Sequence, residues 1–581
     1  MTDHNEDRVP PHAHAVDRMI NASVGRWTNG ISPVALHLAL TDWAFHLASH
    51  PGRQYELLEK AAKKLFRLQL HSARCLGGLN PEACIRPLGN DNRFDGDAWQ
   101  QFPFNLIHQS FLLQQQWWHN ATKVRGVDPH RQQLVSFLAR QVLDFWSPSN
   151  FLFTNPEVMQ RTAEEGGMNL VRGAQNFFED VERRLTGRPP AGSDDYQVGR
   201  EMGLSPGRVV YRNALMELIQ YEPTTKTVQP EPVLVIPAWI MKYYILDLTP
   251  GKSLVEYLTS QGFTVFMISW KNPDRGDRDV GLDDYRRLGI MEALDAVNAI
   301  CPDRKVHATG YCLGGTLLSV AAAAMARDGD DRLATITLLA AQTDFQDPGE
   351  LGLFIDESQV TFIEDLMWEE GYLDGKRMVG AFQLLRSRDL VYSQQVREYL
   401  MGERQEIIEL MAWNADTTRL PYRMHSEYLR QLFLNNDLVE GRFEVGGQPV
   451  HLGDIHTPVF GVGTVKDHIA PWKSVYKINR LIYRAETTFL LTTGGHNAGI
   501  VTPPGHPRRS YQMATWKPEH GWVPPEQFQA ATDSENGSWW PAWQNWLRQH
   551  SGQRVQPPPM GSEDGRYAPM EPAPGTYVLQ S

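Results

Sequence analysis

The stretch His307–Ala326, "HATGYCLGGTLLSVAAAAMA", decides how the rest of the chain is read. A short β-prone run enters a glycine-flanked turn, and an Ala/Leu-rich segment of helical composition leaves it. The turn, Gly310-Tyr311-Cys312-Leu313-Gly314, has the G-x-S-x-G form of a nucleophile elbow with cysteine in the serine position. A strand–turn–helix of this kind holds its central side chain above the end of a sheet, beside a helix N-terminus that favours negative charge. Glycines are needed two residues before and two after, because Cβ atoms there would collide. The bland reading of a free cysteine, a small buried hydrophobe, suits Cys75, Cys84 and Cys301, which have no such setting.

Outward from the elbow, six short runs have strand character: Val233–Trp239, Phe263–Trp270, Lys305–Tyr311, Ala334–Ala341, Pro458–Thr464 and Thr487–Thr493. Most are almost continuously apolar, as strands covered on both faces are. Helical segments such as "DDYRRLGIMEALDAVNAI" lie between several of them, and this alternation predicts a mostly parallel α/β sheet. The span from Ala341 to Pro458 is too long for one connection, so about 345–455 is expected to form a cap subdomain. Before the sheet, "YELLEKAAKKLFRLQL" places Leu58, Ala61, Ala62, Leu65 and Leu68 on one helical face. The expected organisation is therefore a disordered start (1–15), a helical N-terminal domain (16–190), an α/β catalytic domain (191–552) and a flexible tail (553–581).

In such a sheet the partners of the nucleophile follow in the order acid, then histidine, on loops after later strands. "LTTGGHNAGIV" sets His496 after a strand and a Gly-Gly turn, where a base could reach Cys312. His307 lies inside a strand, while His451 and His456 precede one, so His496 is preferred. Two acids compete: Asp344 follows the strand after the elbow helix, and Asp467 in "GTVKDHIAPW" follows the next. Asp467 holds the more usual position, and Asp344 is expected to brace the cap junction. His468, beside Asp467, is assigned no catalytic role. An oxyanion hole would use the backbone N–H of Leu313 and one from the loop near Trp239 or Ile240, of which Ile240 is the candidate.

Bulk properties narrow the function. The chain has 581 residues, 41% hydrophobic and 21% charged, with a net charge of −12 and no long basic run, which argues against nucleic-acid binding. Four cysteines in so long a chain do not make a disulfide framework. The opening "MTDHNEDRVPPHAH" has no apolar core of a secretory signal, and the longest apolar run falls short of the roughly 20 residues a spanning helix needs. A cytoplasmic protein without a transmembrane segment is expected, and neither a metal nor a cofactor. Seventeen tryptophans include the pairs Trp117-Trp118 and Trp539-Trp540, which read either as core or as a surface meeting hydrophobic material.

Together these residues resemble the polyhydroxyalkanoate synthases, the bacterial polyester polymerases. The likeness runs from about 16 to 552 and includes "RFDGDAW", "QSFLLQQQWW", "SPSNFLFTNPEV", "PAWIMKYYILDLTPGKSL", "GYCLGGT", "WNADTTRLP", "GTVKDHIAPW", "GGHNAGIVTPP" and "GSWWPAWQNWL". It implies an α/β-hydrolase fold with a helical cap insertion, preceded by the α-helical N-terminal domain. It also implies Cys312 as acyl-bearing nucleophile, His496 as base and Asp467 as third catalytic residue. The implied substrate is a 3-hydroxyacyl-CoA, CoA being the leaving group rather than a cofactor, with a growing polyester chain and granule surface as partners, and a homodimer. Length and the N-terminal region are similar to the single-subunit synthases, and Ala498 to the forms taking short-chain monomers. One position departs: Pro237-Ala238-Trp239-Ile240-Met241-Lys242 has Met241 where the family pattern Pro-Pro-x-Ile-Asn-Lys has asparagine. Two other readings share the scaffold, a thioesterase or intracellular polyester depolymerase and a non-catalytic granule protein.

A thiol suits the implied reaction. Transfer of an acyl group from CoA to cysteine exchanges one thioester for another, so the acyl group stays activated for attack by a hydroxyl. A serine ester would lose that drive.

Overall fold

The computed structural model describes residues 11–77, 82–87, 91–378, 380, 387 and 391–581. Two compact units are present: Gly192–Met378 and Ile408–Ser581 together with the stretch up to Gly30 form one, and Ile31–Ala191 with Val379–Ile407 the other.

The first unit is built on one ten-stranded sheet. Its strands in chain order are β1 (Gly207–Arg212), β2 (Met216–Tyr221), β3 (Val233–Ile236), β4 (Val265–Trp270), β5 (Val306–Tyr311), β6 (Leu333–Leu339), β7 (Val459–Thr464), β8 (Thr487–Thr492), β9 (Ser510–Trp516) and β10 (Glu535–Asn536). Their order across the sheet is β1-β2-β4-β3-β5-β6-β7-β8-β9-β10. The central strands β4, β3, β5, β6, β7 and β8 pair in parallel, and they are the six apolar runs of the sequence. β3, β4, β5, β7 and β8 are buried at every position, which explains their lack of alternation. Antiparallel strands extend both edges: the hairpin β1–β2 on one side, β9 and β10 on the other. Inside the sheet, His307 makes bonds of 2.8 Å to Thr335 Oγ1 and 2.9 Å to Ser551 Oγ. Burial holds its pKa down to about 3, so it is a neutral structural histidine.

The expected flexible tail at 553–581 is a clear difference. Its proline-rich composition reads as unstructured, yet it covers the exposed edge of β1: Val209 N–H donates to Glu571 O and Met570 N–H to Val209 O, at 3.0 and 2.7 Å. An edge strand left bare would offer unpaired peptide groups, and the tail takes them. Tyr567 and Val578 are buried there. The clamp is Glu217 of β2, fully buried, which accepts from the backbone N–H of Thr576 and Tyr577 at 3.0 Å each, from Thr576 Oγ1 at 2.6 Å and from Arg212 at 2.5 Å.

The helical region also begins differently from the expected 16–190. Helix α1 (Pro11–Trp27) belongs to the sheet unit, where it packs on the cap helix Glu357–Glu370. Asn21 donates to Asp365 at 2.8 Å, Arg26 pairs with Glu369 at 2.7 Å, and Gly25 leaves room for Phe362 and Leu366. Of the expected disordered segment 1–15, residues 1–10 lie outside the described residues, and Pro11 opens α1. The second unit holds α2 (Pro33–Ala48), α3 (Pro51–Leu76), α4 (Phe104–Ala121), α5 (Pro129–Phe145), α6 (Pro156–Glu164) and α7 (Met168–Leu185). Part of the expected cap, Val379–Ile407, groups with these helices instead of the sheet. Asn169 reaches Leu400 O at 2.8 Å, and Arg404 bridges Asp180 and Glu398 at 2.8 and 2.7 Å.

Replacing Glu217 with alanine leaves two peptide N–H groups without their acceptor and Arg212 with only Glu571 and Thr576, a loss of about 2–4 kcal/mol. The expected result is a lower unfolding midpoint together with protease cleavage within 555–581 under conditions where the parent chain resists it. Unchanged cleavage would contradict the clamp.

Candidate active site

The elbow is formed as the sequence implies. β5 ends at Tyr311, Cys312 takes φ 52° and ψ −123°, and the helix Leu313–Asp328 follows. A positive φ is uncommon for a residue with a side chain and marks strain held by its surroundings. The surroundings are tight: Cys312 N–H donates to Leu339 O at 2.9 Å, and Gly315 N–H returns to Cys312 O at 2.9 Å. A Cβ at Gly314 would run into the carbonyl oxygens of Ile236 and Pro237, and one at Gly310 into the backbone of Gly315. The flanking glycines therefore let the elbow helix sit against the ends of β3 and β5.

His496 follows β8 and is buried, with its Nδ1 2.8 Å from Asp467 Oδ2. A carboxylate only accepts, so Nδ1 carries the proton and donates, leaving Nε2 as the nitrogen for Cys312, whose sulfur lies close enough to act on the ring's charge. Asp467, its side chain fully buried, follows β7; its Oδ1 accepts from the N–H of Ile469 at 2.9 Å and Ala470 at 2.8 Å, and Thr464 Oγ1 donates to Oδ2 at 3.1 Å. Burial alone would push the Asp467 carboxyl up, but the charge and bond of His496 and the two N–H donors bring it below its ordinary value. Burial likewise opposes a charge on His496. The carboxylate of Asp467 and the sulfur of Cys312 outweigh it and raise the imidazole to about 10. Asp467 and His496 are thus joined by a bond, and Cys312, the third residue named from the sequence, lies near enough for its sulfur to act on the ring.

The alternatives fall away for visible reasons. Asp344 accepts from Asn436 at 3.1 Å and pairs with Lys477 at 3.3 Å, bracing the junction where the chain enters the cap. His451 and His456 are exposed ahead of β7. Leu313 opens the elbow helix, its N–H in the first turn. The loop with Ile240 is stitched to the cap motif "WNADTTRLP": Thr418 Oγ1 donates to Trp239 O at 2.6 Å, Met241 forms an antiparallel bridge with Thr417, and Lys242 pairs with Asp416 at 2.8 Å. Met241 thus meets Thr417 in the backbone contact that joins this loop to the cap.

Three groups of site residues are not evident in the sequence. Tyr311, before the nucleophile, has its ring centroid 5.8 Å from that of His496 and donates to Asn497 Oδ1 at 2.6 Å. Tyr428, from the cap, is buried near enough to Cys312 that burial and the sulfur's charge both push its hydroxyl pKa up. It packs with Phe433 and Trp239 at centroid distances of 5.1 and 6.4 Å. The third group decides between the two readings of Trp539-Trp540 in favour of core. Both are fully buried, and their indole N–H groups donate to Gly499 O and Ile500 O at 3.0 and 2.9 Å, fixing the loop that carries His496. Among the described residues no group of three or more His, Cys, Asp or Glu side chains could hold a metal ion, and no helix is long and apolar enough to cross a membrane.

Known proteins match this arrangement over nearly the whole chain. Two family models, described as poly-beta-hydroxybutyrate polymerase N terminal and as the N-terminus of poly-beta-hydroxybutyrate polymerase, match residues 11–53 and 90–258. An alpha/beta hydrolase fold model matches 231–503. The poly(3-hydroxyalkanoate) polymerase of Methylorubrum extorquens is 40% identical over 91% of this chain and 87% of its own. The chain belongs to the poly(3-hydroxyalkanoate) polymerase family. The polymerase subunit of Cupriavidus necator is 36% identical over 84% of this chain and 83% of its own. Poly(3-hydroxyalkanoate) polymerase 1 of Ectopseudomonas oleovorans is 31% identical over 90% of this chain and 95% of its own. The fold is the α/β-hydrolase fold of this polymerase family, with its elbow serine position occupied by Cys312.

The histidine–carboxylate pair gives stability a defined pH dependence. The raised pKa of His496 means its contribution is complete below the unfolded histidine value near 6.5 and is lost as pH rises toward about 10. The lowered Asp467 contributes above the unfolded carboxylate value near 3.9 and loses its contribution as pH falls. Asp467→Asn should therefore lower the unfolding midpoint most between about pH 4 and 6.5, with the gap narrowing toward pH 10. A gap independent of pH would refute the charged pair.

Proposed function

We propose that this chain polymerises 3-hydroxyacyl groups from their CoA thioesters into polyester, through an acyl thioester on Cys312. The observation that carries this reading is the His496–Asp467 bond beside Cys312 at a strained elbow, in a chain of the polymerase family.

His496 Nε2 takes the proton of Cys312, and the thiolate attacks the thioester carbonyl, forming a new carbon–sulfur bond. The N–H of Leu313 and that of Ile240 face the oxyanion in this mechanism. Collapse breaks the bond to CoA sulfur, and the proton held by His496 leaves with CoA. The 3-hydroxyl of a second acyl unit or chain end then attacks the Cys312 thioester. His496 accepts its proton, an oxygen ester forms, and the Cys312 thiolate is released. The 2.8 Å bond from His496 to Asp467 supports an orienting role for the carboxylate, since it holds the ring by Nδ1 and leaves Nε2 to exchange the proton with sulfur. Ala498, similar at its position to the forms taking short-chain monomers, supports 3-hydroxybutyryl-CoA as the substrate.

Polyester is insoluble, and the helical unit carries apolar side chains suited to such a surface. Phe45, Phe66, Phe153 and Leu185 are each exposed by two thirds or more. This supports a cytoplasmic enzyme working at the granule surface, as a homodimer.

Given 3-hydroxybutyryl-CoA, the chain is expected to release CoA and form polyester, with an acyl adduct on Cys312 seen by mass spectrometry of the quenched enzyme. Cys312→Ala should abolish release by a thousandfold or more, and Asp467→Asn should lower it on the order of a thousandfold. Free 3-hydroxybutyrate as the sole product would move the protein to the hydrolases.

Water is the competitor for the acyl-enzyme, and Tyr428 is a buried cap aromatic near the sulfur. Tyr428→Ala is expected to raise the ratio of free acid to polymer several-fold, measured by separating the acyl products. An unchanged ratio would remove the cap tyrosine from water exclusion.

A further inference from the structure

The sheet carries a second concave site, at the end opposite to the catalytic residues. A cleft lies there between the short helices Trp472–Tyr476 and Ile478–Leu481, the start of β8 and the end of β9, where Thr487 pairs with Trp516. His496 follows the other end of β8, so the length of that strand, roughly 17 Å, lies between the two sites. The cleft holds about 490 Å³ of empty space, within the roughly 300–1,000 Å³ of small-molecule sites. Its walls are aromatic: the Tyr476 ring centroid lies 5.3 Å from that of Trp522 and 5.8 Å from that of Trp516. Trp522 is exposed, and its loop is held in place: Lys517 N–H donates to His520 Nδ1 at 3.1 Å, and the Tyr476 hydroxyl donates to Val523 O at 3.0 Å. One polar side chain lining the cleft is unsatisfied. Asn479 Oδ1 and Nδ2 are both buried, and among the described residues neither has a hydrogen-bond partner. Buried polar atoms almost always find partners, so a carboxamide lacking both marks a place where another molecule supplies them. Arg480 and Lys517 line the same cleft; both are exposed, and among the described residues neither forms an ion pair and no acidic side chain lines the cleft.

We propose that this cleft is a binding site for an adenine nucleotide, separate from the catalytic centre and independent of the acyl-CoA reading of Cys312. A carboxamide presents a donor beside an acceptor, the complement of an adenine edge on which an amino group stands next to a ring nitrogen. Asn479 has both of these groups free. Tyr476, Trp516 and Trp522 supply the flat apolar surface on which a base stacks. Arg480 and Lys517 supply donors and positive charge for the phosphate. A simple carboxylate ligand would use the cations and leave the Asn479 oxygen unpaired, and an alkyl chain would use neither.

Calorimetric titration of the full-length chain with adenosine 5′-monophosphate tests the site. One nucleotide per chain is expected, with Kd on the order of 10–100 µM. The 5′-monophosphate of purine riboside, which lacks the amino group, should bind about tenfold more weakly, and so should adenosine 5′-monophosphate to Asn479→Leu. Asn479→Leu should leave the unfolding midpoint unchanged or higher, because it removes two buried groups that have no partner; a structural amide would lower it. Arg480→Ala should weaken the nucleotide several-fold and adenosine not at all, and added salt should discriminate in the same way. Saturating adenosine 5′-monophosphate should leave KM for 3-hydroxybutyryl-CoA unchanged. A competitive rise in that KM would put the nucleotide in the catalytic pocket and overturn the proposal. No binding to the parent chain, or equal affinity for the two nucleotides, would overturn it as well.

Discussion

The backbone of Cys312, held at φ 52° between β5 and its following helix, is the constraint on which the site depends. A side-chain-bearing residue in that region costs roughly 1–3 kcal/mol and persists only where neighbours dictate it. Here they do so through the Cys312 N–H bond to Leu339 O, the close approach of the glycines to Ile236 and Gly315, and a wholly buried β5. Because β3, β5 and β6 are locked by parallel pairing, the turn cannot relax without disturbing the sheet centre. The strain is thereby converted into position: the sulfur stands clear of the sheet at the start of a helix.

Position alone would leave a buried imidazole neutral and poorly oriented. The structure meets this with a chain of bonds reaching back from His496 to peptide groups. Asp467 is fixed by two N–H donors and Thr464 before it binds the ring, so its geometry does not depend on the histidine. The loop itself is tied by Trp539, Trp540 and Arg509, each donating to a carbonyl within a few residues of His496. Under the proposed mechanism, such a loop keeps the ring aligned while a proton moves onto Nε2 and off again in each acyl transfer.

Much of this was legible from local chemistry. The six parallel strands announced themselves because strands buried on both faces must be apolar throughout, and the elbow because its glycines are sterically obligatory. The order Cys312, Asp467, His496 followed from the topology of such sheets. What escaped notice depends on pairing at a distance. β1 and β2 carry Glu217, Gln220 and Arg212, and look too polar for buried strands; their polar groups are satisfied by a tail whose own composition suggests disorder. Trp539 and Trp540 gave no sign of which face they would meet. Tyr428 is one aromatic among many in the cap, and only the folded chain sets it beside Cys312.

The cap explains how a scaffold shared with hydrolases can favour transfer to an alcohol over transfer to water. Both nucleophiles meet the same thioester and the same base, so the outcome depends on which of them reaches the carbonyl and how long it stays. The surroundings of Cys312 on the cap side are aromatic: Tyr428 packs on Phe433 and Phe345, and Phe345 on Phe433 with centroids 4.8 Å apart. A wall of this kind gives water few hydrogen-bond partners, while the methylene and methyl groups of a hydroxyacyl chain lose apolar surface against it. Under the proposed reaction, cysteine at the elbow keeps the acyl group activated, and the cap aromatics near it limit the approach of water while a bound hydroxyl attacks.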